Sequence, residues 1–259
     1  MQRIEELFRR KQQRVLSIYY TAGYPGLSDT APIALALEKA GADLIEIGMP
    51  YSDPLADGPT IQQSGQQALA NGMTLALLFD QISGLRAQTR LPLVLMGYFN
   101  QVMQFGEADF FRTCREVGVD GLILPDLPVD EYERHYRKLV EENDLGISFL
   151  ITPQTAPERI RRIDALTRGF LYVVADYSIT GTSAGISGNQ IEYFRRIRDM
   201  DLKNPQLIGF GIADHSSYAR ACEYAAGAIV GSAFIRALAA DGVLPSQIDR
   251  FIKNLRSEG

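Results

Sequence analysis

Apolar residues gather in short runs separated by longer stretches of helical periodicity, and this alternation continues from one end of the chain to the other. The runs at 16–21, 43–47, 93–97, 121–124, 147–152, 170–175, 206–211 and 227–231 are nearly continuous in Val, Ile, Leu, Phe and Tyr. Such runs predict parallel strands buried on both faces rather than half-exposed strands with a polar side. Helical patterns near 29–40, 74–87, 107–117, 130–143, 156–166, 189–200 and 214–225 separate them, and a final helical region runs from 232 onward. Strand and helix in alternation call for a parallel sheet with right-handed crossovers.

Eight strand-helix units in 259 residues match the size of a (β/α)8 barrel, or TIM barrel, with extra helices. A doubly wound open sheet is the alternative architecture. A weak internal echo supports repetition: Glu38-Lys-Ala-Gly-Ala-Asp43, Glu116-Val-Gly-Val-Asp120 and Glu223-Tyr-Ala-Ala-Gly-Ala228 each place a glycine between a helix and the next strand. No Ser/Gly/Pro-rich linker or charge block divides the chain, so residues 1–259 are expected to form one domain.

In a barrel of this kind the active site is built by the loops that follow the strands. Two such loops are long. Residues 48–73, after the second strand, hold an extra helical stretch at 60–70, and residues 176–188, after the sixth, are polar and glycine-rich, the composition of a lid or equally of a surface insertion.

The second strand contains the most informative residue. Glu46 interrupts an apolar run, and a carboxylate buried there is costly unless something pairs or uses it. Asp57 follows on a loop stiffened by Pro50, Pro54 and Pro59. Singly, each has a plain structural reading: Glu46 as one member of a buried ion pair, Asp57 as a turn former ahead of a helix. Together, at the same end of one barrel, they predict an acid/base pair.

What is missing narrows the chemistry. Lys11, Lys39, Lys138, Lys203 and Lys253 all fall in helical or connecting segments, so no lysine is placed for a Schiff base. His135 and His215 are the only histidines, both in charged helical stretches, which leaves neither a zinc site nor a Ser-His-Asp triad; no metal is expected. Carboxylates and hydroxyls remain at strand ends: Glu46, Asp57, Asp126, Tyr98, Tyr172 and Thr180. Gly209-Phe-Gly-Ile212 closes the seventh strand, and Gly231-Ser232 closes the eighth and opens a helix, whose free N–H groups can hold a phosphate without a cation. These glycines also suit tight turns alone.

Charge and composition remove other classes. With 31 acidic against 26 basic residues the formal net charge is −5, which disfavours nucleic acid and anionic membranes as partners. The amphipathic start lacks the apolar stretch of a signal peptide, and no segment approaches about eighteen apolar residues, so a cytoplasmic protein is expected. Cys114 and Cys222 lie far apart in helical patterns and read as small buried residues.

The residues at 46–62, Glu-Ile-Gly-Met-Pro-Tyr-Ser-Asp-Pro-Leu-Ala-Asp-Gly-Pro-Thr-Ile-Gln, closely resemble the signature of tryptophan synthase alpha subunits. The resemblance extends over essentially the whole chain through Met96-Gly-Tyr-Phe-Asn100, Pro125-Asp-Leu-Pro128, Thr180-Gly181, Gly209-Phe-Gly-Ile212 and Gly231-Ser232, in the family's order. It implies retro-aldol cleavage of indole-3-glycerol phosphate to indole and D-glyceraldehyde 3-phosphate, without a cofactor in this chain. By the same resemblance Glu46 protonates the indole carbon and then takes the hydroxyl proton, while Asp57 answers the charge on the indole N–H. The substrate pocket carries over onto Tyr19, Met96, Tyr98, Asp126, Tyr172 and Thr180, and the phosphate site onto Gly181, Gly211, Gly231 and Ser232. The resemblance further implies a pyridoxal-phosphate beta subunit in an αββα heterotetramer, with Asp53, Pro54, Asn100 and Pro128 facing it. One departure stands out: many family members carry arginine, then glycine, before the lid's Val-Thr-Gly, where this chain has Asp176, Ser178 and Ile179. A stand-alone indole-glycerol-phosphate lyase and a catalytically silent phosphate-ligand-sensing regulatory subunit are the alternatives.

Overall fold

A computed structural model describes residues 2–175, 188–209, 211–240 and 243–257. The strands are β1 (Val15–Thr21), β2 (Leu44–Gly48), β3 (Leu93–Met96), β4 (Gly121–Ile123), β5 (Gly146–Ile147), β6 (Leu150–Ile151), β7 (Leu171–Val174), β8 (Gln206–Gly209) and β9 (Gly227–Val230). All neighbours pair in parallel, in the order β5-β4-β3-β2-β1-β9-β8-β7-β6. The two outermost members of that order are consecutive in the chain. Ser148 N–H still donates toward β4, to the Leu122 carbonyl at 3.0 Å, whereas the Phe149 carbonyl accepts from Tyr172 of β7, also at 3.0 Å. The sheet therefore curls round and closes through residues 146–151 as the expected (β/α)8 barrel. The fifth predicted strand is these two short pieces, and the sixth, seventh and eighth are β7, β8 and β9.

The helices are α1 (Gln2–Arg10), α2 (Thr30–Ala40), α3 (Pro59–Ala70), α4 (Leu75–Arg86), α5 (Phe99–Phe105), α6 (Glu107–Val117), α7 (Val129–Glu131), α8 (Arg137–Glu142), α9 (Pro157–Leu166), α10 (Gly188–Arg198), α11 (His215–Cys222), α12 (Ser232–Leu238) and α13 (Leu244–Arg256). A π-helical turn, Tyr132–Tyr136, joins α7 to α8 inside the single helix expected there. Gly41 and Gly118 end their helices with φ of 98° and 83°, as the repeated glycine predicts. Gly227 does not: it opens β9, where a Cβ would meet the Val15 carbonyl oxygen.

Helix α5 is capped partly from its own sequence, where the Gln101 side chain accepts from the Tyr98 N–H at 3.1 Å, and partly from a distant loop. Tyr98 stands in the capping place, and the free N–H of Phe99 is taken by both carboxylate oxygens of Asp126, at 2.8 and 3.0 Å, from the loop after β4.

Strand side chains alternate between two cores. Leu16, Ile18, Ile45, Ile47, Leu93, Leu95, Val173 and Ile208 point outward and pack under the helices. Val15, Leu44, Val94, Ile123, Phe170, Leu207 and Ile229 fill the barrel with Ile4 and Leu7 of α1. Arg3 of the same helix pairs at 2.7 Å with Asp120, a fully buried carboxylate that Arg86 also reaches at 3.0 Å. Helix α1 thus plugs the N-terminal end of the barrel, leaving the opposite end for chemistry.

Candidate active site

Strand register decides what stands at that open end. Tyr19 on β1 lies level with Glu46 on β2, Gly48 is paired with Met96 on β3, and Val174 on β7 with Gly209 on β8. The glycines make room for rings. A Cβ on Gly48 would collide with the Tyr19 hydroxyl, and one on Gly209 with the hydroxyl of Tyr172.

Glu46 is fully buried. Its Oε1 accepts a 2.7 Å hydrogen bond from Ser17 Oγ, itself fully buried, and Oε2 has no partner among the described residues. The structure thus supplies a hydroxyl where an ion pair was the plain alternative. Burial pushes the carboxyl up to about 7, partly offset by the Ser17 hydrogen bond. Near neutral pH it exchanges a proton with little cost in either direction.

Asp57 is half-buried at the end of a loop held from several sides. Met49 N–H donates to the Met96 carbonyl at 2.7 Å, Gln101 Nε2 to the Pro50 carbonyl at 2.8 Å, and Gln62 Nε2 to the Asp57 carbonyl at 2.8 Å. Gly58 then precedes Pro59 at the first position of α3. The Asp57 side chain accepts from the Tyr98 hydroxyl at 3.2 Å, and that hydroxyl accepts from Ala56 N–H at 2.9 Å. Burial raises this carboxyl to about 6 while the Tyr98 hydrogen bond lowers it, so at neutral pH it is mostly ionised.

Tyr19 and Tyr172 are buried, and both feel the charges of the two carboxyls. Burial foremost, then the charges of Asp57 and Glu46, drive both phenols far above their ordinary range. They remain protonated at any working pH. Met96 is half-buried at the end of β3. Asp126 is exposed, with its carboxylate on the α5 N-terminus. Gly211 has φ of 75° and open space around it, and Gly231 and Ser232 begin α12 with no side-chain cap. Thr180, Gly181 and the departures at Asp176, Ser178 and Ile179 lie outside the described residues.

On the outer rim, Asp53 is exposed and accepts from Ser52 Oγ, Pro54 is half-buried, Asn100 donates to the Tyr51 hydroxyl at 3.0 Å, and Pro128 is exposed. Leu55 beside them is 88% exposed, and Met103 on α5 is 54% exposed. Two clefts, of about 320 Å³ beside residues 124–129 and α9 and about 450 Å³ near Phe8 and Tyr224, contain neither Glu46 nor Asp57. Among the described residues no group of His, Cys, Asp and Glu gathers as a metal site, and no helix is long and apolar enough to cross a membrane.

Sequence reasoning missed Ser17 and Tyr51. Ser17 is a small polar residue inside a largely apolar strand, two positions from Tyr19 and hence on the same inward face, which was signal enough. Tyr51 stacks on Tyr98 at 5.0 Å between centroids, a contact with no local sequence signal.

A profile described as "Tryptophan synthase alpha chain" matches residues 6–256. A tryptophan synthase alpha chain of Flavobacterium psychrophilum is 51% identical over 255 residues, covering 98% of this chain and 100% of the relative. The chain belongs to the tryptophan synthase alpha chain family. The tryptophan synthase A-subunit of the hyperthermophile Pyrococcus furiosus superposes with a TM-score of 0.87 at 33% identity, over 95% of this chain and 98% of that one. A chain of the tryptophan synthase complex of Pyrococcus furiosus does so with 0.86 at 32%, over 95% and 98%. As a member of the alpha chain family, this chain is a carbon–carbon lyase of tryptophan biosynthesis that cleaves indole-3-glycerol phosphate to indole and D-glyceraldehyde 3-phosphate.

Proposed function

We propose that Glu46 and Asp57 carry this cleavage as an acid/base pair. The observation that supports the reading most is a fully buried glutamic acid with one oxygen that has no partner among the described residues, balanced near neutrality, sharing a barrel mouth with an aspartate balanced slightly lower. Protonated Glu46 gives its proton to the indole carbon that bears the glycerol chain. The ring becomes cationic at its N–H, and ionised Asp57 stabilises that charge. Glu46, now a carboxylate, takes the proton of the adjacent side-chain hydroxyl. The carbon–carbon bond then breaks, its electron pair returns to the ring, and indole and the aldehyde separate with Glu46 protonated again.

Tyr19, Met96, Tyr98 and Tyr172 form the wall around the indole in this reading, Thr180 is a further substrate-binding residue, and Asp126 holds the α5 end that presents Tyr98. Gly211, Gly231 and Ser232, with Gly181, hold the phosphate by backbone N–H groups; the uncapped start of α12 supports this. The chain itself needs no cofactor for these proton transfers. Its partner is a beta subunit that carries pyridoxal phosphate, in an αββα assembly, docked on the rim formed by Asp53, Pro54, Asn100 and Pro128. The apolar exposure of Leu55 and Met103 on that rim, and the likeness to a chain of a tryptophan synthase complex, support the docking. The reaction takes place in the cytoplasm, since a phosphorylated substrate does not cross a bilayer unaided.

Indole release from indole-3-glycerol phosphate, measured for the chain alone and with a stoichiometric beta subunit, tests the reading. Slow turnover that rises strongly on mixing is the expected result. Fast turnover alone with no gain indicates a free lyase, and none in either case a silent sensor.

A further inference from the structure

Ser17 lies on the inward face of β1, two residues below Tyr19, and is fully buried. Its hydroxyl hydrogen needs an acceptor, and Glu46 Oε1, 2.7 Å away, is the acceptor the structure supplies. A neutral carboxyl has one oxygen that bears the proton and one that only accepts. An oxygen already receiving a hydroxyl donor is the poorer place for a second hydrogen. The proton of neutral Glu46 is therefore driven to Oε2, the buried oxygen that has no partner among the described residues.

We propose that Ser17 is a positioning residue of the lyase reaction: by holding Glu46 Oε1 it reserves Oε2 as the oxygen that delivers and recovers the transferred proton. This rests on Glu46 being the acid. Ser17 acts through Glu46 and sits one layer deeper in the barrel than Tyr19. Without it the glutamate has two equivalent oxygens and an unanchored torsion, so the proton spends part of its time on the oxygen turned away from the substrate. The same hydrogen bond favours the carboxylate, so its loss also strengthens proton binding by Glu46. The other titratable groups coupled to this carboxyl are Tyr19 on β1 and Tyr172 on β7, and both of them also feel Asp57. Of these only Asp57 titrates in the same range, and it governs the acidic rather than the alkaline limb of activity.

The test is the pH dependence of indole release in Ser17→Ala, Ser17→Thr and Ser17→Cys, with Glu46→Gln as reference. Ser17→Ala is expected to lower kcat about tenfold with KM nearly unchanged, and to move the alkaline limb upward by about half to one pH unit. Ser17→Thr, which keeps the hydroxyl, is expected to restore both. Ser17→Cys keeps the size but donates weakly, and should fall between them; it carries the test if the alanine variant does not fold. A folded Ser17→Ala or Ser17→Cys chain with wild-type kcat and an unmoved alkaline limb overturns the proposal, as does an equal loss at every pH that threonine does not repair. If Glu46→Gln is inactive in that same experiment, Ser17 alone has failed. If Glu46→Gln turns over normally, Glu46 is not the acid, and the role of Ser17 falls with it.

Discussion

The Tyr98 hydroxyl joins the loop after β2 to the helix after β3, donating to Asp57 Oδ2 at 3.2 Å and accepting from Ala56 N–H at 2.9 Å. The ring is fixed by Tyr51, stacked 5.0 Å away, whose own hydroxyl accepts from Asn100. Asp57 is therefore aimed by an aromatic pair rather than by the rigidity of its prolines alone. Tyr98→Phe keeps the stack and removes the donor. Turnover should fall about tenfold, and the acidic limb of the pH profile should move upward, because the lost hydrogen bond is the one that lowers the Asp57 carboxyl. A wild-type acidic limb in this variant would show that Tyr98 does not tune Asp57.

Two carboxyls with opposite duties give a narrow optimum. Cleavage needs Asp57 ionised, hence pH above about 6, and Glu46 protonated, hence pH below about 7. A bell-shaped kcat/KM profile centred between these values is expected for the cleavage direction. A profile that rises monotonically to pH 9 would contradict the role of Glu46 as the initial acid.

The same carboxyl costs stability at alkaline pH. Unfolded, Glu46 releases its proton near its ordinary 4.5; folded, it holds on until about 7. Below 4.5 both states are protonated and there is no penalty. As pH rises through this window the unfolded state loses the proton first, so it is progressively favoured, and above about 7 the full penalty of roughly 3 kcal/mol is reached. Glu46→Gln should therefore raise Tm by several degrees at pH 8 and by little at pH 4.5. Thermal melts of the two chains at both pH values check the sign.

The glycines beneath the two tyrosines are steric requirements. In Gly209→Ala the added Cβ collides with the Tyr172 hydroxyl and lies 2.5 Å from its ring, so the ring must move. A loss of at least tenfold in kcat/KM is expected, with a destabilisation of about 1–3 kcal/mol. Gly84→Ala in α4, where a Cβ meets nothing within 4 Å, should leave kcat/KM unchanged and stabilise by about 0.5–1 kcal/mol.

Much of this was legible in the chain because it is local. Glu46 declares itself as a charge in a buried strand, Asp57 follows from its loop, and the runs around β1, β2 and β3 read directly as strands. What was not legible depends on distant partners. Half of the α5 cap is local, Gln101 accepting from the Tyr98 N–H, but the Phe99 N–H is taken by Asp126, 27 positions on. The fifth strand reads as one run but is two short pieces, because Ser148 still pairs toward β4 while Phe149 pairs with β7. Asp126 was read as a strand-end carboxylate from its position and as a pocket residue from the family resemblance, and the folded chain adds that its carboxylate accepts from the Phe99 N–H.

The most direct test of the acid/base pair is indole formation by Glu46→Gln and Asp57→Asn in the complex with the beta subunit, alongside binding of glycerol 3-phosphate. Both substitutions keep the shape and remove the titratable group. Turnover is expected to drop by at least a thousandfold in each, with phosphate-ligand affinity within a few-fold of wild type. Near-normal indole release by either variant would contradict the assignment of that carboxyl.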